Sequence, residues 1–264
     1  MERRKVGNVE IIALIDNVQA YPAAAVYPAA GNALARFAGY FDTNGALALN
    51  FASFLLLDGD ATVLVDTGWG PEHDGQLPAE LRAAGVDPPQ VTIVTFTHLH
   101  GDHTGWNVDR TTGAALFPNA RYLVPRADWD HYASANPKPA SFIRDVEALS
   151  AGGRMELVDG EVSLSPSLTT LPTPGHTPGH TSVVISSGRE RGFVLGDVVI
   201  GLPDAEMPSL QTSFDWEHGI ARRTREAIIA RLAADQSLVG ASHLPAPGFG
   251  RFVIEGGVSS WRPA

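Results

Sequence analysis

Residues 98–103 read His-Leu-His-Gly-Asp-His, one residue (Thr97) after the apolar run Val91–Phe96. Three imidazoles and a carboxylate within six positions have no packing rationale at the end of a strand. They require a fold that opens a polar pocket there. In extended chain, side chains at i and i+2 point the same way, so His98 and His100 can bind one ion together. Asp102 and His103, past the small Gly101, can turn toward a second. Two more segments repeat the pattern at expected strand ends: Pro174-Gly175-His176-Thr177-Pro178-Gly179-His180, and Ser242-His243-Leu244-Pro245. Asp197, in Leu195-Gly196-Asp197, adds a carboxylate. Spacing alone does not choose between His176 and His180 as a ligand. His73, His131 and His218 stand singly in polar or helical stretches and are read as structural.

The chain has no cysteine. That excludes disulfides, thiolate metal sites and a cysteine nucleophile. A site of imidazole and carboxylate alone suits zinc, manganese, iron or cobalt. No Gly-x-Ser-x-Gly elbow supplies a serine nucleophile either. The formal net charge of −10 argues against nucleic acid as a partner. The stretch Asn17–Ala35 is broken by Pro22, Pro28 and Gly31, so no membrane span is expected. After Glu2-Arg3-Arg4-Lys5, the apolar run Ile11–Ile15 is too short for an export signal. The expected location is the cytoplasm.

Strands are expected at Val9–Ile15, Leu47–Leu57, Thr62–Val65, Val91–Phe96, Arg121–Val124, Arg154–Val158, Ser167–Leu171, Ser182–Ser186, Phe193–Leu195 and Leu238–Ala241. Asp58-Gly59 marks a hairpin turn. Helices are expected at Pro78–Ala84, Ala127–Ala133, Phe142–Ser150 and Trp216–Ala234. Tyr21–Tyr40 reads as a loop that carries aromatic residues. No linker or repeat divides residues 1–264, so one domain is expected. Mixed strands with helices outside them suggest two packed sheets covered by helices, a four-layer α/β sandwich.

His98-x-His100-x-Asp102-His103 resembles the signature of the metallo-β-lactamase superfamily. The order of the supporting motifs matches as well: Asp66-Thr67-Gly68, the cluster, Gly175-His176-Thr177, Gly196-Asp197, then His243. The resemblance covers nearly the whole chain. It implies an αβ/βα sandwich with two divalent metal ions at one edge of the sheets, zinc first, with manganese, iron or cobalt as alternatives. It assigns His98, His100 and His176 to one ion, and Asp102, His103 and His243 to the other. Asp197 bridges them together with a hydroxide, Asp66 orients a ligand or loop from behind, and His180 becomes a hydrogen-bonded neighbour. The implied chemistry is metal-assisted hydrolysis, with Asp102 relaying the proton to the leaving group. It also implies a small-molecule substrate and a homodimer.

Among the branches, the antibiotic-hydrolysing enzymes usually lack the Asp197-type bridge, and flavodiiron proteins carry Glu where this chain has His100. Glyoxalase II-like thioesterases add a basic C-terminal helical part that is not evident here. A mononuclear iron persulfide dioxygenase is the oxidoreductase alternative on the same fold. The C-terminal half looks closest to the methyl parathion hydrolase and lactonase-like branch, through Gly196-Asp197-Val198-Val199, Phe214-Asp215 and Ala241-Ser242-His243-Leu244-Pro245. Small esters, lactones and phosphotriesters are its substrates. Two positions depart from relatives: Ile200 stands where homoserine lactonases often have Tyr, and Gly105-Trp106-Asn107 stands where many have Gly-Gly. Trp69, Trp106, Phe214 and Trp216 follow metal motifs, and two or more of them are expected to line an apolar pocket.

Overall fold

A computed structural model describes all residues, 1–264. Thirteen strands form two sheets. The first runs in chain order: β1 (Glu2–Val6), β2 (Val9–Pro22), β3 (Ala46–Asp58), β4 (Ala61–Val65), β5 (Ile93–Thr95), β6 (Arg121–Pro125) and β7 (Met155–Val158). The second holds β8 (Leu168–Pro172), β9 (Thr181–Ser187), β10 (Glu190–Val194), β11 (Leu238–Gly240), β12 (Phe249–Glu255) and β13 (Val258–Pro263), with β13 at one edge and β8 at the other. β4 to β7 are parallel, as are β10 and β11; the remaining pairs are antiparallel.

Alternation along the strands builds the layers. Ile11, Ala13, Phe54, Leu56, Val63 and Val65 face the second sheet and meet Val183, Ile185, Val194 and Phe249. Ile12, Leu14, Leu55 and Leu64 face outward, where Leu77 and Leu81 of the helix Leu77–Ala83 cover them together with Phe142 and Val146. On the far side, Ile228, Ile229 and Leu232 of the helix His218–Asp235 pack on Phe193, Leu195 and Val239. Each such side chain contributes roughly 1.5–3 kcal/mol by leaving water. The result is the expected four-layer sandwich. No helix is long and apolar enough to cross a membrane.

The arrangement carries five loops to one edge. β4 ends into Asp66, β5 into His98–His103, β8 into His176, β10 into Asp197 and β11 into His243. Functional loops gather at the carboxyl ends of parallel strands for this topological reason.

Three features differ from expectation. β1, β12 and β13 lie outside the expected strands. β2 continues to Pro22, beyond Ile15, after a register shift between Ile15 and Asn17. Tyr21–Tyr40 is therefore not a plain loop: after β2 it forms helical turns at Ala23–Val26 and Gly31–Tyr40, which tuck Val26, Tyr27 and Phe37 against Leu47, Leu49 and Phe51.

Candidate metal centre

The structure brings all seven singled-out residues together, in two groups. His98, His100 and His176 form one; Asp102, His103, Asp197 and His243 form the other. Within each group the donor atoms lie within 4.8 Å of one another. His100 Nδ1 sits 2.9 Å from His98 Nε2 and 3.0 Å from His176 Nε2. Asp197 lies between the groups. Its Oδ2 is 3.3 Å from His176 Nε2 and 3.1 Å from His243 Nε2, and its Oδ1 is 3.3 Å from His103 Nε2.

Three of the five rings are held by their other nitrogen. His103 Nδ1 donates to Asp66 Oδ2 at 2.8 Å, His243 Nδ1 to the Asn50 carbonyl at 2.9 Å, and His98 Nδ1 to Thr97 Oγ1 at 3.1 Å. These bonds fix the tautomer that leaves Nε2 unprotonated, the form a metal ligand needs. His103 Nε2 and Asp197 Oδ1 are buried with no hydrogen-bond partner. Buried polar atoms are seldom left so, and a divalent cation satisfies both.

The electrostatics divide the two groups. Burial holds His98 well below the usual imidazole range and His100 down to about 3. Burial also acts on His103 and His243, but there Asp197 and Asp102 outweigh it, with Asp66 adding at His103, and both rings are pushed up. The second group thus attracts positive charge. Burial opposes ionisation of Asp102 and Asp197, yet the neighbouring imidazoles hold both below the usual carboxylate range.

His180 is in neither group. It donates from Nδ1 to Thr173 Oγ1 at 2.8 Å and accepts the Asp197 amide at Nε2, 2.9 Å, so it positions the Asp197 backbone. His73 stacks on Trp69 at 4.0 Å between ring centres, and His131 and His218 lie outside both groups.

Several supporting residues carry no local sequence signal. Asp128 is buried and accepts from the Leu99 amide (3.1 Å), Thr177 Oγ1 (2.9 Å) and the Gly179 amide (2.5 Å), tying two ligand loops together. Arg225, only 1% exposed, donates to the carbonyls of Val198 and Leu210 at 2.7 Å and to Asp215 at 3.1 Å. Asp215 in turn lies 3.5 Å from His176 Nδ1. Asp16 sits where β2 shifts register. Its carboxylate accepts from the amides of Trp69 and Leu77, both at 2.7 Å, and from Trp106 Nε1 at 2.8 Å. Bulges beside active sites often re-aim one side chain in this way.

A cavity of about 320 Å³ opens beside the two groups, walled by Tyr21, Leu49, Phe51, Trp69, Ile200 and Phe214, with His100, Asp102, His176, Asp197 and His243 along its metal-facing side. Trp69 and Phe214 are therefore pocket residues. Trp106 is not: it packs on the outer core and bonds Asp16. Trp216 is half exposed and stands off the cavity. Leu49 and Phe51 escape a sequence reading because they come from the β2–β3 arm, far from any metal motif, whereas Tyr21 belongs to the aromatic stretch that the sequence offers as a pocket wall.

A model of the metallo-β-lactamase superfamily matches residues 50–243. The chain belongs to the metallo-β-lactamase superfamily. Among relatives, an N-acyl homoserine lactonase AttM from Rhizobium radiobacter is 30% identical over 122 residues, 44% of each chain. A metallo-beta-lactamase domain-containing protein 1 from Xenopus laevis is 32% identical over 159 residues, 60% of this chain and 56% of that one. The aligned segment spans about half the length of these relatives. AidC, a dizinc quorum-quenching lactonase solved with a product N-hexanoyl-L-homoserine, superposes with a TM-score of 0.88 over 100% of this chain and 97% of that one, at 24% identity. That likeness establishes the superfamily fold along the whole chain.

Proposed function

We propose that this chain is a dinuclear, divalent-metal-dependent hydrolase of small neutral lactones and related esters. The observation that carries the proposal is the pair of donor groups sharing Asp197 at the side of an apolar cavity. His98, His100 and His176 would hold one ion, and Asp102, His103 and His243 the other, with Asp197 between them. When bound there, two divalent ions, zinc first, would supply Lewis-acid polarisation of the scissile carbonyl and a water of lowered pKa.

The chain's own residues do the rest. Asp66, Thr97 and the Asn50 carbonyl orient imidazoles so that their free nitrogens converge. Asp102 has 21% of its side chain exposed, more than the other carboxylate of the group. In this reading it takes a proton from the attacking water and returns it to the leaving alkoxide. Tyr21, Leu49, Phe51, Trp69, Ile200 and Phe214 exclude water and receive the apolar part of the substrate. None of them is charged, which favours a neutral substrate over an anionic thioester. The lactone preference rests on the names of the homoserine lactonase relatives and of AidC. A homodimer is a further expectation from the family resemblance alone, and a cytoplasmic location one from the sequence.

The test is a substrate panel on zinc-loaded protein: N-acyl homoserine lactones of increasing chain length, aryl esters and a phosphotriester. The highest kcat/KM is expected on a lactone, and H103A should remove nearly all of it. Failure of zinc-, manganese- and cobalt-loaded protein to hydrolyse any of the panel overturns the proposal. So does oxygen uptake with a persulfide by a one-iron form.

A further inference from the structure

The helix His218–Asp235 buries Arg225 where three chain segments meet. All three guanidinium nitrogens are used. Nε donates to the Val198 carbonyl at 2.7 Å, one residue past Asp197. Nη1 donates to the Leu210 carbonyl at 2.7 Å, and Nη2 to Asp215 Oδ2 at 3.1 Å, beside the pocket wall Phe214. A second buried carboxylate, Asp204, lies 3.4 Å from Nε. It also accepts the amides of Ile200 and Gly201, at 2.9 and 2.8 Å, and the Tyr27 hydroxyl at 2.5 Å.

The other oxygen of Asp215 meets a metal-group imidazole. Oδ1 is 3.5 Å from His176 Nδ1, and that nitrogen is buried with no hydrogen-bond partner. A buried donor left unpaired is costly. A small closure of the gap gives Nδ1–H its acceptor and fixes the tautomer that leaves Nε2 free for an ion. One guanidinium between two buried carboxylates is a poor way to gain stability. Orientation of the residues it touches accounts for it better.

We propose that Arg225 is a positioning residue for the ion assigned to His98, His100 and His176. Through Asp215 it aims His176, and through the Val198 carbonyl it sets the backbone beside Asp197. The proposal rests on the dinuclear reading above. It gives the three-imidazole group an orienting partner of its own, separate from the Asp66 that holds His103. A lysine keeps the charge but lacks the planar fork that reaches Val198, Leu210 and Asp215 together.

The experiment labels histidine with nitrogen-15, loads the full chain with zinc, and follows imidazole shifts by NMR while a chelator withdraws the metal. Release from the first group frees three imidazoles, and release from the other frees two, so the ions report separately. In Arg225→Lys, the set of three should lose zinc at free zinc levels 10- to 100-fold higher than in wild type, with the set of two unchanged. Asp215→Asn should do the same. Arg225 holds its amide oxygen, so its NH2 faces His176 Nδ1 and drives the ring proton to Nε2. This nearly isosteric variant keeps the test decisive if Arg225→Lys folds poorly. A parallel shift of both sets, as a purely structural role would give, overturns the proposal. So does an unmoved set of three in either folded variant. Wild-type protein whose imidazoles never take up zinc overturns the dinuclear reading itself, and the proposal with it.

Discussion

Asp66→Asn isolates how the protein prepares a metal ligand. Asp66 Oδ1 accepts the Thr97 amide at 2.7 Å, while Oδ2 accepts Thr97 Oγ1 and His103 Nδ1, both at 2.8 Å. Asp66 has φ 62°, in the left-handed region, which Asn tolerates as readily as Asp. The backbone therefore stays in place. The Asn oxygen can keep the Thr97 amide, and the Thr97 hydroxyl can rotate to accept instead of donate. His103 cannot adapt so simply. Facing an NH2 group, its Nδ1 must become an acceptor, which moves the proton to Nε2. That is the atom aimed at Asp102 and Asp197. Loss of such an orienting partner typically weakens metal affinity 10- to 100-fold, about 1.4–2.7 kcal/mol. Chelator competition on the two-ion protein should show one ion released at correspondingly lower chelator, with the other unchanged. Unaltered release of both ions in a folded Asp66→Asn protein would refute the tautomer argument.

Three further outcomes follow from the same geometry. Asp16→Asn places an NH2 group against two of the N–H donors that the carboxylate now accepts; at about 1.5–3 kcal/mol per charge-assisted bond, partly offset by relief of a buried charge, denaturant unfolding should show a loss of about 2–4 kcal/mol, and a loss under about 0.5 kcal/mol would contradict the role. Trp69→Ala removes a pocket wall that stacks on Phe51 at 4.4 Å and should raise KM roughly tenfold for long-chain substrates with little change in kcat, whereas Trp106→Ala should lower stability and leave KM alone; the reverse pattern in steady-state kinetics would be wrong for this pocket. On acidification, protons compete with metal more strongly where imidazole pKa values are raised, at His103 and His243, than where they are lowered, at His98 and His100. One ion should therefore leave at higher pH than the other, and metal-edge spectroscopy of a cobalt form should show the Asp102-containing site emptying first; simultaneous release would count against the division.

The ligand set was legible because metal chemistry demands particular side chains, and strand ends mark where they can gather. Residues 98–103 needed no tertiary information. Spacing did not choose His176 over His180; the family resemblance did, and the structure shows the reason: His180 spends one nitrogen on Thr173 and the other on the Asp197 amide. The layers were legible from the order of the apolar strands and the helices set among them. β12 and β13 were missed although Gly256 and Gly257, both at positive φ, form their turn; in β13 the polar Ser259 is buried and the apolar Val258 exposed, which spoils the apolar alternation. Asp16 was invisible as a functional residue, because its four N–H partners come from residues 69, 70, 77 and 106. The pocket wall was legible only in part: Trp69 and Phe214 follow metal motifs, whereas Leu49 and Phe51 carry no such mark. Tyr21 and Phe51 meet Phe214 only once the β2–β3 arm folds over the metal edge. Local sequence reports chemistry well and long-range enclosure poorly.

Metal content per chain tests the central claim most directly. Elemental analysis of the protein purified without added metal or chelator should give about two zinc, manganese or cobalt ions per chain, the number set by the two donor groups. One iron per chain and nothing else, or no bound ion even after reconstitution, would contradict a dinuclear hydrolase.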